Sequence, residues 1–308
     1  MSYVEGARTV VETCMAVDPD DVVSVVTDAR RREIGRAIEE VAREHADEVV
    51  YLEMSVEGEH GAEPPAPVAA AMRESDVVVA PTTRSLTHTR ARIEACEAGA
   101  RVATMPGVTA RMMEEAMQAD YSEVDRRARD FLETLDGASE VRVRSEAGTD
   151  LLLDVEGRGW KVDVGLCQEA GCVTNLPAGE VYVAPRSGDG RLVVDGSMAG
   201  VGRLDEPLVI EFEGGRAVSI EHEDVRERVD AAGDCGRNLA ELGVGLNPAA
   251  TLIGEVLQDE KVAGTVHVAV GDSSGFGGDV ECDVHLDGVV LDPSVEVDGV
   301  ELDLPGES

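Results

Sequence analysis

The first 138 residues alternate short apolar runs with segments of helical spacing. Residues 21–27 (DVVSVVT) form a near-continuous apolar run, which is typical of a strand covered on both faces. Residues 29–46 follow with Ile34, Ile38 and Val41 at the spacing of one helix face. Runs of these two kinds keep alternating, and no GxGxxG follows a predicted strand. The pattern therefore predicts a parallel sheet with helices on its faces and no dinucleotide site.

After residue 138 the pattern becomes that of strands. Residues 149–157 (TDLLLDVEG) are one example, and residues 207–221 predict a hairpin that turns at Gly214-Gly215. We therefore expect two domains. An α/β parallel-sheet (Rossmann-like) domain spans 1–138, and an α+β, strand-rich domain spans 139–308.

The charge of the chain is strongly negative. Asp and Glu together number 63 against 27 Lys and Arg, and only Lys161 and Lys261 among the basic residues are lysines. A net charge of -36 strains a compact chain by self-repulsion, which concentrated salt screens. The acid is spread along the whole chain, which favours a halophilic protein over one that binds a basic partner. The same charge excludes a nucleic-acid partner, since that requires a basic face.

The sequence also indicates a compartment. The N-terminal segment is interrupted by Glu5, Arg8 and Glu12, unlike a signal peptide, and no apolar run is long enough to span a membrane. We therefore expect a cytoplasmic protein without a membrane partner. A cytoplasmic protein keeps its thiols reduced, so we expect the cysteines to be small buried residues. They are Cys14, Cys96, Cys167, Cys172, Cys235 and Cys282.

Two of the six histidines stand out by their surroundings. His267 and His285 each interrupt a β-branched, apolar strand, where both ring nitrogens need a partner. Asp287 follows His285 by two residues, so a strand presents both side chains on one face. The pair is either half of a divalent metal site or a hydrogen-bonded His–Asp pair. The other four lie in predicted helices, loops or a hairpin end and are expected at the surface: His45, His60, His88 and His222.

Two carboxylates lie in unusual surroundings as well. Glu180 enters an apolar strand directly after Gly179, and Glu241 precedes the glycines of a segment that reads ELGVGLNP. A carboxylate removed from water requires a counter-charge, which a metal ion would supply. The alternative for each residue is an exposed edge carboxylate in an acid-rich protein.

These segments carry a resemblance to a known family. NLPAGE (175–180), ELGVGLNP (241–248), DEKVAGTVH (259–267) and HLD (285–287), in this order, resemble the thermophilic metallo-aminopeptidases typified by aminopeptidase T. The resemblance implies two divalent ions (zinc, cobalt or manganese). It also implies a peptide substrate and a homodimer. The implied metal ligands are Glu180, Glu241, His267, His285 and Asp287.

The resemblance implies a reaction too. The protein would be a hydrolase, specifically a metalloprotease that removes N-terminal residues with a metal-activated water. Glu180 or Glu241 would be catalytic, by bridging the ions or shuttling a proton. One feature departs from the family, whose functional tyrosine is missing from residues 271–278 (GDSSGFGG).

Two alternatives stay open. The first is a non-haem iron dioxygenase similar to the ring-cleaving 2,5-dihydroxypyridine dioxygenases, with iron(II) held by His267, His285 and Asp287. The second is a non-catalytic metal-binding homologue. Metal content and oxygen consumption distinguish the iron enzyme from the peptidase.

The charge predicts a strong dependence of stability on salt. The Debye length falls from about 8 Å at 0.15 M salt to about 3 Å at 1 M, so repulsion among surface carboxylates weakens steeply. We expect the melting temperature to rise with KCl and the protein to unfold on dilution to low salt. Calorimetry over a KCl series measures this, and a melting temperature insensitive to KCl contradicts it.

Overall fold

The computed structural model describes residues 3–56 and 58–305. The chain forms two compact units. The first extends to Asp125 and includes residues 163–178, and the second comprises residues 126–162 and the chain from Gly179 onward.

Helices are concentrated in the first unit. The α-helices of the described chain are α1 (Tyr3–Arg8), α2 (Arg32–His45), α3 (Ala66–Arg73), α4 (Arg90–Glu97), α5 (Ala110–Glu114), α6 (Tyr121–Leu135), α7 (Glu223–Ala231) and α8 (Val256–Asp259). A π-helical segment (Thr9–Cys14) continues α1, and short 3-10 turns occur at Ala116–Gln118, Asp234–Arg237 and Ser274–Phe276.

Strands occur in both units and dominate the second. They are β1 (Val22–Asp28), β2 (Glu48–Met54), β3 (Val77–Thr82), β4 (Arg101–Pro106), β5 (Glu140–Arg144), β6 (Asp150–Asp154), β7 (Lys161–Asp163), β8 (Val173–Asn175), β9 (Glu180–Val183), β10 (Ser187–Val194), β11 (Ser197–Met198), β12 (Gly202–Arg203), β13 (Leu208–Glu213), β14 (Arg216–Ile220), β15 (Leu239–Gly245), β16 (Val266–Gly271), β17 (His285–Val290), β18 (Ser294–Val297) and β19 (Val300–Leu302).

The first unit is built on a parallel sheet with the strand order β2-β1-β3-β4-β8. The central strands are buried on both faces, as the continuous apolar runs predict. The helix α2 buries Ile34, Ile38 and Val41, the stripe that its spacing predicts. The α/β character of this part is therefore confirmed.

The strand β8 joins this sheet from a distant part of the sequence. Val102, Ala103 and Thr104 of β4 pair with residues 173–175, so the chain returns to the first unit at residues 163–178. The strand pattern assigned these residues to the second domain, after a boundary at residue 138. A three-residue strand (VTN) carries no periodicity of its own, and only its pairing with β4 reveals it.

The second unit contains two antiparallel sheets. One has the order β14-β13-β10-β6-β5-β18-β19, and the other has the order β12-β11-β17-β16-β15-β9-β7. The predicted hairpin is present as β13 and β14, which pair across Gly214 and Gly215. The strand-rich character of the second half is therefore confirmed. Among the described residues, none of the helices is both long and apolar enough to cross a membrane.

The cysteines differ from expectation. Cys167 is joined to Cys172 in the first unit, and Cys235 is joined to Cys282 in the second. Each pair has a Cα–Cα distance of 5.6 Å, which suits a disulfide. The expectation of reduced thiols is wrong for these four residues, because folding brings together positions whose spacing indicates no pairing. Cys14 and Cys96 are free thiols.

Candidate metal centre

Five predicted site residues lie on one face of the second unit's β17-β16-β15-β9 ladder. Glu180 is on β9, Glu241 on β15, His267 on β16, and His285 and Asp287 are both on β17. In antiparallel strands, directly opposed residues point to the same face. A register shift between Leu239 and Glu241 interrupts the pairing of β15 with β16 just before the ladder reaches Glu241. Tertiary pairing thus gathers side chains that are up to 107 residues apart in the sequence.

Small residues oppose every one of these side chains. The pairs are His267 with Gly243, Glu180 with Gly245, Glu241 and Asp287 with Ala269, and His285 with Gly271. A Cβ atom at Gly243 would lie 2.0 Å from His267 Nε2, so only glycine leaves room for the imidazole there. The glycines that marked ELGVGLNP therefore create the space that the site occupies.

The polar atoms form an alternating series of bases and carboxylates. Lys261 Nζ lies 2.6 Å from Glu180 Oε1, and His267 Nε2 lies 3.2 Å from Glu180 Oε2. His267 Nε2 is also 3.4 Å from Glu241 Oε1, which links the two carboxylates through one imidazole. The series continues at the other oxygen of Glu241.

His285 occupies the other end of the series. Its Nε2 is 3.2 Å from Glu241 Oε2 and 3.2 Å from Asp287 Oδ1. Its Nδ1 lies 2.8 Å from the carbonyl oxygen of Asp272, which fixes the tautomer with Nδ1 as donor. Phe276 stacks on the ring at a centroid distance of 4.4 Å. His285 therefore directs Nε2 at the two carboxylates in a single orientation.

The carboxylates are buried without sufficient hydrogen bonds. The side chains of Glu180, Glu241 and Asp287 are 8%, 4% and 9% exposed, and each has one buried oxygen without a hydrogen-bond partner. These oxygens converge on histidine nitrogens but lack hydrogen-bond geometry. Buried carboxylates in this state require a cation.

The close packing of the carboxylates around the two histidines also shifts the histidine pKa values. Burial opposes the protonation of His267, but close contacts with Glu180 and Glu241 outweigh it and raise the pKa of His267 well above its usual value. Burial likewise opposes protonation of His285, and Asp287 and Glu241 outweigh it to raise its pKa well above the usual value. Without a metal ion, these imidazoles carry the positive charge that the carboxylates demand.

The donor atoms fit a metal ion. Glu180, Glu241 and His267 form one group, and Glu241, His285 and Asp287 form another, each with its ligand atoms within 4.8 Å of one another. Glu241 belongs to both groups. Within residues 3–56 and 58–305, no such group unites His267 with both His285 and Asp287. The structure therefore brings all five predicted residues together, but as two groups that share Glu241.

Several residues of this site were missed from the sequence. Lys261 contacts both Glu180 and Glu260. Tyr182 lies on the site face and makes a T-shaped ring contact with Phe276, at a centroid distance of 5.8 Å. Burial raises the pKa of Glu260 to about 8, although Lys261 opposes the rise. Two signals could have found them, since Tyr182 follows Glu180 by two residues and the chain has only two lysines.

The four remaining histidines belong to neither donor group and are exposed or partly exposed, as predicted. They are His45, His60, His88 and His222.

Comparison with known proteins points to a different reaction from the predicted one. The model of the family described as NicX, 2,5-dihydroxypyridine 5,6-dioxygenase, matches residues 1–307. No curated protein matches the chain in sequence. Among solved structures, the chain is similar to the 2,5-dihydroxypyridine dioxygenase from Pseudomonas putida KT2440. The TM-score is 0.83 and the identity 19%, with 100% of this chain and 97% of that chain covered.

A second solved structure supports the predicted resemblance at the level of fold. The chain is similar to wild-type AmpT from Thermus thermophilus, with a TM-score of 0.72 and 18% identity, and 98% of this chain and 96% of that chain covered. A distant structural relation to aminopeptidase T is therefore present.

The predicted reaction is nevertheless wrong. The expected metallo-aminopeptidase, a hydrolase and protease with a peptide substrate, conflicts with the family model that spans the chain and with the similarity to the dioxygenase. The structure brings the segments that carry the candidate ligands together in one buried cluster. Residues of these types suit several metal chemistries, so they did not determine the reaction.

The space at Gly243 generates a prediction. In Gly243→Ala, the added Cβ would lie 2.0 Å from His267 Nε2 and displace the imidazole. We expect divalent-metal affinity to fall by about 10–100-fold, the usual cost of disturbing the support of a ligand. Calorimetric titration with Co²⁺ measures this. Gly159→Ala is the control, because a Cβ there meets nothing within 4 Å. Equal affinity in the two variants would contradict the prediction.

The raised pKa values of the two histidines generate a second prediction. The pKa values of His267 and His285 are raised well above their usual value in the metal-free protein, whereas an imidazole must be neutral to bind a metal. We therefore expect metal binding to release protons at pH 7 and metal affinity to increase as pH rises. Titration calorimetry in buffers of different ionisation enthalpy measures the release. Heats that are the same in every buffer would rule it out.

Proposed function

The chain belongs to the 2,5-dihydroxypyridine 5,6-dioxygenase family, and from this premise we propose that it is a metal-dependent dioxygenase that opens a hydroxylated pyridine ring. The observation that carries the proposal is the match of the family model to residues 1–307. The buried cluster on β9, β15, β16 and β17 supplies the donor atoms that such chemistry needs. Oxygen uptake distinguishes such an enzyme from a non-catalytic homologue.

We infer that the cluster holds ferrous iron through His285, Asp287 and the shared Glu241, with His267 beside Glu241. Non-haem iron oxygenases typically use two imidazoles and one carboxylate. Here His285 would supply one imidazole, and His267, whose Nε2 lies 3.4 Å from Glu241, would supply the second. When bound, the iron would supply the redox chemistry that lets dioxygen react with an aromatic ring. The predicted pair of zinc, cobalt or manganese ions, the homodimer and the cytoplasmic location stay predictions.

The chain's own residues would prepare the site in two ways. The backbone carbonyl of Asp272 holds Nδ1 of His285, and Phe276 stacks on the imidazole ring. The imidazole is therefore already oriented before a metal ion binds. The burial of His267 and Glu241 excludes water from the cluster, which strengthens every electrostatic interaction within it.

The carboxylates and His267 would accept the proton that the substrate loses. A hydroxylated ring must give up a hydroxyl proton to bind as an anion, and a buried base nearby favours that loss. His267 Nε2 lies between Glu180 and Glu241, at 3.2 Å and 3.4 Å, so this pair of carboxylates can hold a proton through one imidazole.

Oxygen consumption tests the proposed function. Protein in molar KCl is loaded with Fe²⁺ without air, and 2,5-dihydroxypyridine and oxygenated buffer are then added. We expect oxygen uptake in proportion to ring loss, with loss of the ring's near-ultraviolet absorption and with both oxygen atoms in the product. Iron binding without oxygen uptake would instead support a non-catalytic homologue.

Two histidine variants sharpen the assay. His285→Ala removes a ligand, and we expect ring cleavage to fall to background because the metal is no longer held. His45→Ala is the matched control, since that imidazole pairs with Glu12 in the first unit and should leave oxygen uptake unchanged. Undiminished cleavage by His285→Ala would contradict the assignment of the site.

A further inference from the structure

Lys261 is buried between two acidic side chains at the edge of the metal cluster. Its side chain is 3% exposed, and its Nζ donates to Glu180 Oε1 at 2.6 Å and to Glu260. Burial of an ammonium group is costly unless its partners compensate it, and Glu180 and Glu260 are the acidic partners here.

The choice of lysine over arginine is also informative. The chain has 27 basic residues, and Lys161 and Lys261 are its only lysines. Lysine offers a compact charge on a slim stem, whereas arginine presents a broad planar fork. The backbone around Lys261 is tightly packed, since a Cβ at Gly245 would lie 2.1 Å from Val262 O and 2.9 Å from the carbonyl carbon of Lys261. A compact cation suits this space.

The contact with Lys261 gives the two oxygens of Glu180 different partners. Oε1 accepts from the ammonium group, whereas Oε2 lies 3.2 Å from His267 Nε2 and has no hydrogen-bond partner. The carboxylate is thereby fixed in one rotation, with a single free oxygen directed at the donor group that it forms with Glu241 and His267.

We propose that Lys261 is a positioning residue that orients Glu180 as a one-oxygen metal ligand and balances its charge before a metal ion arrives. The proposal rests on metal binding at the cluster of the proposed function, through the donor group of Glu180, Glu241 and His267, but not on ring cleavage. It predicts that loss of Lys261 weakens metal binding through Glu180 and through no other residue.

A partly buried ion pair provides the comparison. Arg101 contacts Asp21 in the first unit, and both side chains are 12% exposed. Removing Lys261 or Arg101 leaves a carboxylate without its cation and destabilises the fold. Only removal of Lys261 should also alter metal binding. Comparing the two variants therefore separates a positioning role from a general structural role.

The first experiment is a titration of metal-free protein in molar KCl with Co²⁺ alone. It is followed by calorimetry and by the visible absorption of bound Co²⁺. We expect Lys261→Met to bind Co²⁺ about 10–100-fold more weakly than the unaltered chain, with a changed visible spectrum. We expect Arg101→Met to keep the original affinity and spectrum while its melting temperature falls. Unchanged Co²⁺ affinity in Lys261→Met, or an equal loss in Arg101→Met, would overturn the proposal.

A double-variant cycle covers the case in which Lys261→Met alone does not fold. Glu180→Gln/Lys261→Met removes both charges of the Lys261–Glu180 pair, so that only Glu260 loses its contact with Lys261. If Lys261 acts through Glu180, this double variant binds Co²⁺ as tightly as Glu180→Gln alone. A further loss of about tenfold would show an independent role and overturn the proposal. Because Co²⁺ binding is the readout, a failed dioxygenase assay would leave this result intact.

Discussion

Buried negative charge is the constraint on which this site depends. Glu180, Glu241 and Asp287 are withdrawn from water on one sheet face, and Lys261 is the only ammonium group that contacts them in the described chain. Carboxylates in such surroundings need cations close by, because neither water nor distant salt can compensate them. The raised pKa values of the two histidines and the carboxylate oxygens without hydrogen bonds follow from that one demand. A divalent ion would compensate the buried carboxylates more fully than protonation of the two histidines does.

The sheet meets this demand through small residues. The side chains of the site alternate with apolar neighbours along each strand, so a single face collects the polar groups and the other packs as core. Gly243, Gly245 and Ala269 oppose the candidate ligands and give their side chains room within a ladder of directly paired strands. The candidate ligands therefore lie on strands, where their geometry is held more closely than loops allow.

The relation to two solved structures shows how far a set of ligands can be interpreted. A dioxygenase and AmpT both resemble this chain in fold at 19% and 18% identity, over nearly their whole lengths. The residue types of this cluster are compatible with hydrolytic and with oxidative metal chemistry. Motifs recognised in the second half alone favoured the peptidase, whereas the family model over residues 1–307 weighs the whole chain. The missing tyrosine after Gly271 was the one local sign of a different reaction.

The sequence by itself determined the two-part fold class and the five candidate ligands. Both are local signals, since apolar periodicity marks each element and polar residues such as His267 and Glu241 are conspicuous inside apolar strands. Tertiary structure alone decided that Glu241 is shared between two ligand groups, that Lys261 holds Glu180, and that β8 belongs to the first unit. These features arise from pairing between strands that are distant in sequence. The register of such pairing depends on the packing of whole sheets, which no short stretch of sequence encodes.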